Sequence, residues 1–163
     1  MNAFDVLVDH HNVLRSLWKK ITAAPADSQE RQANLDDLLV ELDIHMRIED
    51  DLFYPAVQAA STLVAIAHAE HRQVFDQLAV VLQTPPTQPD YDDEWKAFVT
   101  VLDAHANEEE RDLVPPPVDL DPEMLDELGA EMAARIEQLR GSSIEKLHVR
   151  GRAAMLKAMS TAT

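Results

Sequence analysis

The chain has 163 residues, 46% of them apolar, no cysteine and a formal net charge of −16. That length supports one well-buried core, the acidity repels the phosphates of a nucleic acid, and the missing thiols exclude disulfides, thiolate zinc sites and iron–sulfur clusters. The 3 glycines and the abundance of Ala, Leu and Val predict an all-α protein.

The first helix carries Phe4, Leu7, His10, Leu14, Leu17 and Ile21 at three- and four-residue steps and stops in the loop around Pro25. Asp27 with Glu30 reads as a capping box for the second, whose seam runs Leu35, Leu38, Leu42, His45, Glu49 and Leu52 up to Pro55. The third reads Val64, Ala67, His71, Val74, Leu78, Val81 and ends before TPPTQPD, a loop no helix can cross. The fourth, from about Asp92, reads Trp95, Phe98, Leu102, His105, Glu109, Leu113 and stops at Pro115-Pro116-Pro117. Joined by short connections, these fold most simply as an up-down-up-down four-helix bundle.

Two additional C-terminal helices follow. Asp121, Pro122 and Glu123 open the fifth, which reaches about Arg140 before Gly141, and Ser142 with Glu145 opens the sixth, with an apolar face of Ile144, Leu147, Met155 and Met159. Residues 140–163 carry a net charge of +4, leaving −20 for residues 1–139, so the basic tail can dock on the acidic body. The predicted organisation is a bundle over residues 1–118 and a helical extension over 119–163 packed on it. No apolar run is long enough to span a bilayer, and MNAFDVLVDHH lacks the features of a secretion signal, which predicts a soluble cytoplasmic protein, a monomer or weak homodimer.

The seams hold polar residues where leucine is expected. Residues 45–55 read HMRIEDDLFYP and residues 105–115 read HANEEERDLVP: in each, Glu follows His by four residues and Pro follows it by ten. Upstream of each lies an acidic residue, a His and a Val, as Asp9-His10-x-x-Val13 and Glu70-His71-x-x-Val74. A buried, unpaired carboxylate costs several kcal/mol or more, so something must offset it. The i, i+4 spacing lets His45 with Glu49, and His105 with Glu109, each bind one cation from one helix face. Seams at matching depth bring His10 and His71 to the same cavity. Imidazole with carboxylate suits iron, manganese or zinc, and two carboxylates able to bridge favour a pair of ions.

These blocks, over about residues 4–115, resemble the hemerythrin family, in the branch named for its His-His-Glu cation-binding motif. The resemblance implies a four-helix bundle holding two iron ions, oxo- or hydroxo-bridged, with ligands His10, His45, Glu49, His71, His105 and Glu109 and the two glutamates bridging. Its oxygen carriers place two histidines four residues apart on the third helix, and the first of those positions is Ala67 here. Either His68 reaches in as a fifth imidazole, or the site stays open to peroxide or water. The function implied is reaction with hydrogen peroxide or dioxygen, most concretely a catalase-like cycle. Reversible binding of dioxygen or nitric oxide, and an iron-responsive interaction protein, are the alternatives.

Three neighbours complete the expectation. His11, one residue off the seam, reads as a boundary histidine exposed between helices. Tyr54 either packs its ring with one hydrogen-bond partner or assists a redox metal with a hydrogen bond or an electron, and His68 can relay protons near neutral pH. Asp50, Glu108 and Glu110 point off the seam and are expected to be solvated.

Overall fold

The structure, a computed structural model, describes residues 1–58, 62–112 and 120–160. Its elements are α1 (Ala3–Ala23), α2 (Gln29–Ile48), a π-helical turn (Glu49–Phe53), α3 (Tyr54–Val57), α4 (Val64–Gln83), α5 (Tyr91–Asp112), α6 (Pro122–Gly141) and α7 (Ser143–Ser160). There is no strand among the described residues, and no described helix is long and apolar enough to cross a membrane. Leu113, the Pro115–Pro117 stop and the expected boundary at 118/119 lie outside the described residues.

The helix starts follow from local chemistry. Asn2 accepts the Asp5 N–H at 3.0 Å and Asp5 accepts the Asn2 N–H at 3.0 Å, a reciprocal cap for α1. α2 is capped by Ser28, whose hydroxyl oxygen accepts the Arg31 N–H at 3.1 Å, and not by Asp27. The cause is a turn in which the Ser28 N–H bonds the Pro25 carbonyl at 3.1 Å, leaving Asp27 inside the turn. Asp121 caps α6 through the Glu123 N–H at 3.0 Å, with Pro122 at the first helical position, where no N–H is missed.

α1 pairs with α2 and α4 with α5, and α1 also meets α5, as an antiparallel bundle requires. Two apolar layers divide its interior. One holds Phe4, Leu7, Ile44, Ile48, Phe53 and Val64; the other holds Leu14, Trp18, Leu38, Leu42, Trp95 and Phe98. The polar seam residues lie between them, so the site is walled above and below by packed side chains.

The extension is part of this core. Leu125, Leu128, Met132, Ile136 and Leu139 of α6 join the first layer beside Ala3, Val6 and Leu7. α7 lies along the seam between α2 and α4, with Val149 buried in the second layer beside Leu39, Leu42 and Leu78. Arg152 pairs with buried Asp43, and Arg140 forms two hydrogen bonds to Glu41, each 2.8 Å, so the basic tail docks on the acidic body as its charge suggests. The face of α7 differs from expectation. Ile144, Leu147, Met155 and Met159 are exposed, because Val149 with the smaller Ala153 and with Leu156 fits the α2–α4 seam and turns the opposite side outward.

At one place α6 approaches the backbone closely. A Cβ on Gly129 would stand 2.5 Å from the Met1 carbonyl oxygen, 2.6 Å from Asn2 C and 2.8 Å from Ala3 N. Alanine at an ordinary helical position gains about 1 kcal/mol over glycine. Here Gly129→Ala is expected to lose about 1–3 kcal/mol through overpacking, read as a lower denaturant midpoint. An unchanged or higher midpoint would refute the contact.

Candidate metal centre

Each bundle helix contributes a polar residue at the same depth. α1 supplies His11, α2 and its continuation supply His45 and Glu49, α4 supplies His71, and α5 supplies His105 and Glu109; all are at most 4% exposed. The Glu49 carboxylate sits at the centre. One oxygen, Oε1, is 3.0 Å from His45 Nε2 and 3.9 Å from His11 Nε2, while the other, Oε2, is 2.9 Å from His71 Nε2 and 3.6 Å from His105 Nε2. Glu109 Oε2 is 3.3 Å from His11 Nε2 and 3.8 Å from His105 Nε2. The donors thus form two groups, His11–His45–Glu49–Glu109 and Glu49–His71–His105, with Glu49 common to both.

Buried donors and acceptors in folded proteins are almost always paired. Here His11 Nε2, His45 Nε2, Glu49 Oε1, His105 Nε2 and Glu109 Oε2 are all buried and make no hydrogen bond, although they converge. Cations between them would satisfy all five at once. The spacing fits, since a first-row ion sits about 2.0–2.2 Å from each nitrogen or oxygen donor. The residues present therefore suit a pair of metal ions, with imidazole and carboxylate as the whole donor set.

Outer polar groups stand behind the rings. His105 Nδ1 is 3.0 Å from Glu70, His71 Nδ1 is 3.2 Å from Asp50, and His11 Nδ1 is 2.9 Å from Glu110, itself bonded by Arg15 at 2.7 Å. His45 Nδ1 shares a 3.2 Å hydrogen bond with His10 Nδ1, and His10 Nε2 is 2.8 Å from Glu41, the carboxylate that Arg140 grips from α6. Carboxylates behind ligating imidazoles fix the tautomer and raise basicity.

Burial and neighbouring charge pull against each other in the cavity. Burial works to raise Glu49, yet His45, His105 and His71 outweigh it and hold the carboxyl well below its usual range. Burial pushes Glu109 up to about 7, and the charge of Glu49 adds to it. His45 is pushed by burial down to about 3 against the pull of Glu49. Burial opposes protonation of His71 and His105 too, but Asp50 with Glu49, and Glu49 with Glu70, raise them to about 9 and about 11. Without cations, protons occupy the site in their place, so metal binding releases protons and weakens as pH falls.

The π turn brings in Tyr54. In an α-helix, residues five apart point about 140° away from each other. In the wider turn the Tyr54 N–H bonds the Glu49 carbonyl, and both side chains end on one face. Pro55, which has no N–H for the α-helical ladder, favours the break. The Tyr54 hydroxyl donates to Glu109 Oε1 and stands 3.4 Å from Glu49 Oε2 and 3.1 Å from His71 Nε2. Burial, then the negative charge of Glu49 and Glu109, pushes its pKa far above the ordinary value, so it remains a proton donor.

Of the eight sequence candidates, the structure gathers His45, Glu49, Tyr54, His71, His105 and Glu109 at the centre. His10 and His68 fall outside it. His10 lies behind His45, and His11, expected to be exposed, is fully buried with its Nε2 facing both glutamates. The reason is helical phase: Phe4, Leu7, His11, Leu14, Trp18 and Ile21 form the inward stripe, in strict alternation of three- and four-residue steps. His68 does not reach in as a fifth imidazole; it is 46% exposed, with Nδ1 3.0 Å from Asp50. Asp50 and Glu110, expected to be merely solvated, anchor His71 and His11.

Comparison with known proteins agrees with this architecture. The sequence profile of the Hemerythrin HHE cation binding domain matches residues 2–116. A protein of Mycobacterium tuberculosis and one of Mycobacterium bovis are each 55% identical to this chain over 161 residues, covering 98% of it and 100% of the relative. The crystal structure of a hemerythrin HHE cation binding domain-containing protein from Mycobacterium kansasii superposes with a TM-score of 0.88 at 57% identity, covering 96% of this chain and 98% of that one.

Proposed function

This chain belongs to the hemerythrin HHE cation-binding family, and from that premise we propose that it holds two iron ions and uses them to disproportionate hydrogen peroxide. The observation that carries the proposal is Glu49, whose two carboxylate oxygens each face a separate pair of imidazoles. His11 and His45 would hold one ion and His71 and His105 the other, with Glu49 and Glu109 between them. His10 supports this set from behind His45. Ala67, where the oxygen carriers of the family have an imidazole, leaves the second position short of a nitrogen donor, which supports reaction with a small oxidant over simple storage.

Bound iron, cycling as a pair between ferric and ferrous states, supplies the electron sink and source by which one peroxide gives dioxygen, two protons and two electrons, and a second takes them up to give two waters. The chain does the rest. Tyr54 keeps its proton and steadies Glu109 by donating its hydroxyl hydrogen to it. The apolar layers on either side exclude bulk water, so that donor acts at low dielectric. At the rim, His68 and Asp50 stand between solvent and His71.

The test is metal analysis of the purified protein followed by dioxygen evolution from added peroxide, with His45→Ala as control. Iron-dependent evolution lost in the variant is the expected result; evolution absent from the iron-loaded wild type rejects the reading. A dioxygen or nitric oxide adduct that forms and reverses without evolution would point to storage or sensing instead.

A further inference from the structure

Of the four imidazoles facing the interior, three have the outer nitrogen closed off: His45 by His10, His11 by Glu110 with Arg15, and His105 by Glu70. His71 differs. Its Nδ1 is buried without a hydrogen bond, 3.2 Å from Asp50 Oδ1, and the same oxygen is 3.0 Å from His68 Nδ1. The three donors lie within 4.8 Å of one another. His68 and Asp50 are 46% and 43% exposed, so the group opens to solvent while its third member reaches the centre. Its parts arrive by separate routes: His68 and His71 stand three residues apart on one face of α4, and the π turn delivers Asp50 opposite them.

We infer that Asp50, His68 and His71 form an outer cation site, which takes a divalent first-row metal ion from solvent before it passes to the interior. Two imidazole nitrogens and one carboxylate oxygen, with the remaining positions open to water, make a competent and exchangeable donor set. The net charge of −16 concentrates cations around the chain. His71 sets the order of events. A neutral imidazole has one lone pair and one N–H. The ring therefore binds an outer ion through Nδ1 while its Nε2–H donates to Glu49, or an inner ion through Nε2 while its Nδ1–H donates to Asp50. Filling the interior closes the outer site. If Asp50 only steadied His71, as carboxylates behind ligating histidines do, His68 would have no part in metal uptake.

The inference rests on the interior holding cations, which the final metal content checks separately. The experiment mixes metal-free full-length protein with Co²⁺ under anaerobic conditions and follows the visible absorption of interior-bound ion in wild type, His68→Ala and Asp50→Asn. Both side chains are half exposed, so the variants keep the fold. Filling is expected to slow about tenfold in each, with His68→Ala reaching the wild-type final spectrum. In wild type at limiting Co²⁺, the ring-proton resonances of His68 should shift at once and return as the interior fills. A wild-type filling rate in His68→Ala overturns the inference, and so does a His68 resonance that moves only after the interior is full.

Discussion

Glu49→Gln is expected to abolish stable occupancy of both metal positions, a larger effect than any other single change in the site. The amide keeps the shape of the side chain but removes the charge that two imidazole pairs share. It also replaces one acceptor oxygen with an NH₂ that cannot bind a cation. Loss of a residue merely supporting a ligand costs about 10–100-fold in affinity, and a shared ligand should cost at least that at each position. Metal analysis after dialysis against a weak chelator reads the result, and circular dichroism checks that the variant is folded. A folded Glu49→Gln protein retaining two ions would remove the central claim about this cavity.

The second large effect separates neighbours. His11→Ala should lose the ion of the first group, because its Nε2 faces Glu49 and Glu109 with no other partner. His10→Ala should keep both ions and bind the first about tenfold more weakly, since it frees His45 Nδ1 and leaves Glu41 to Arg140 alone. Metal content and affinity measured side by side decide it. The reverse ranking would mean that the α1 helix sits one residue out of phase with the structure described above.

That phase is where sequence and structure part. The helices, their order and five of the six central polar side chains follow from periodicity, because α2, α4 and α5 carry their polar residues on stripes that alternate steps of three and four. On α1 two stripes compete. The one through His10 and Leu17 matches the Asp-His-x-x-Val repeat, while the one through His11 and Trp18 keeps the strict alternation and buries the larger side chain. Burial of Trp18 decides between them, and the repeat misleads. The outer carboxylates are illegible for another reason. Asp50, Glu70 and Glu110 lie off the seams, and only the packed arrangement of neighbouring helices shows that each ends on an imidazole nitrogen. The fate of α7 is equally a matter of context, because its stripe of larger side chains is the natural inward face until the shape of the α2–α4 seam is known.

The shared packing of α6 with α1 has a consequence for how the molecule is made. A ribosome completes the last inward-facing polar residue of the centre at Glu109, before any of the five α6 residues that cover Ala3, Val6 and Leu7 has been synthesised. A nascent chain thus owns every polar side chain of the cavity while the flank of its first helix is still bare. A chain released before α6 is made exposes a greasy strip to the chaperones and proteases that survey such surfaces.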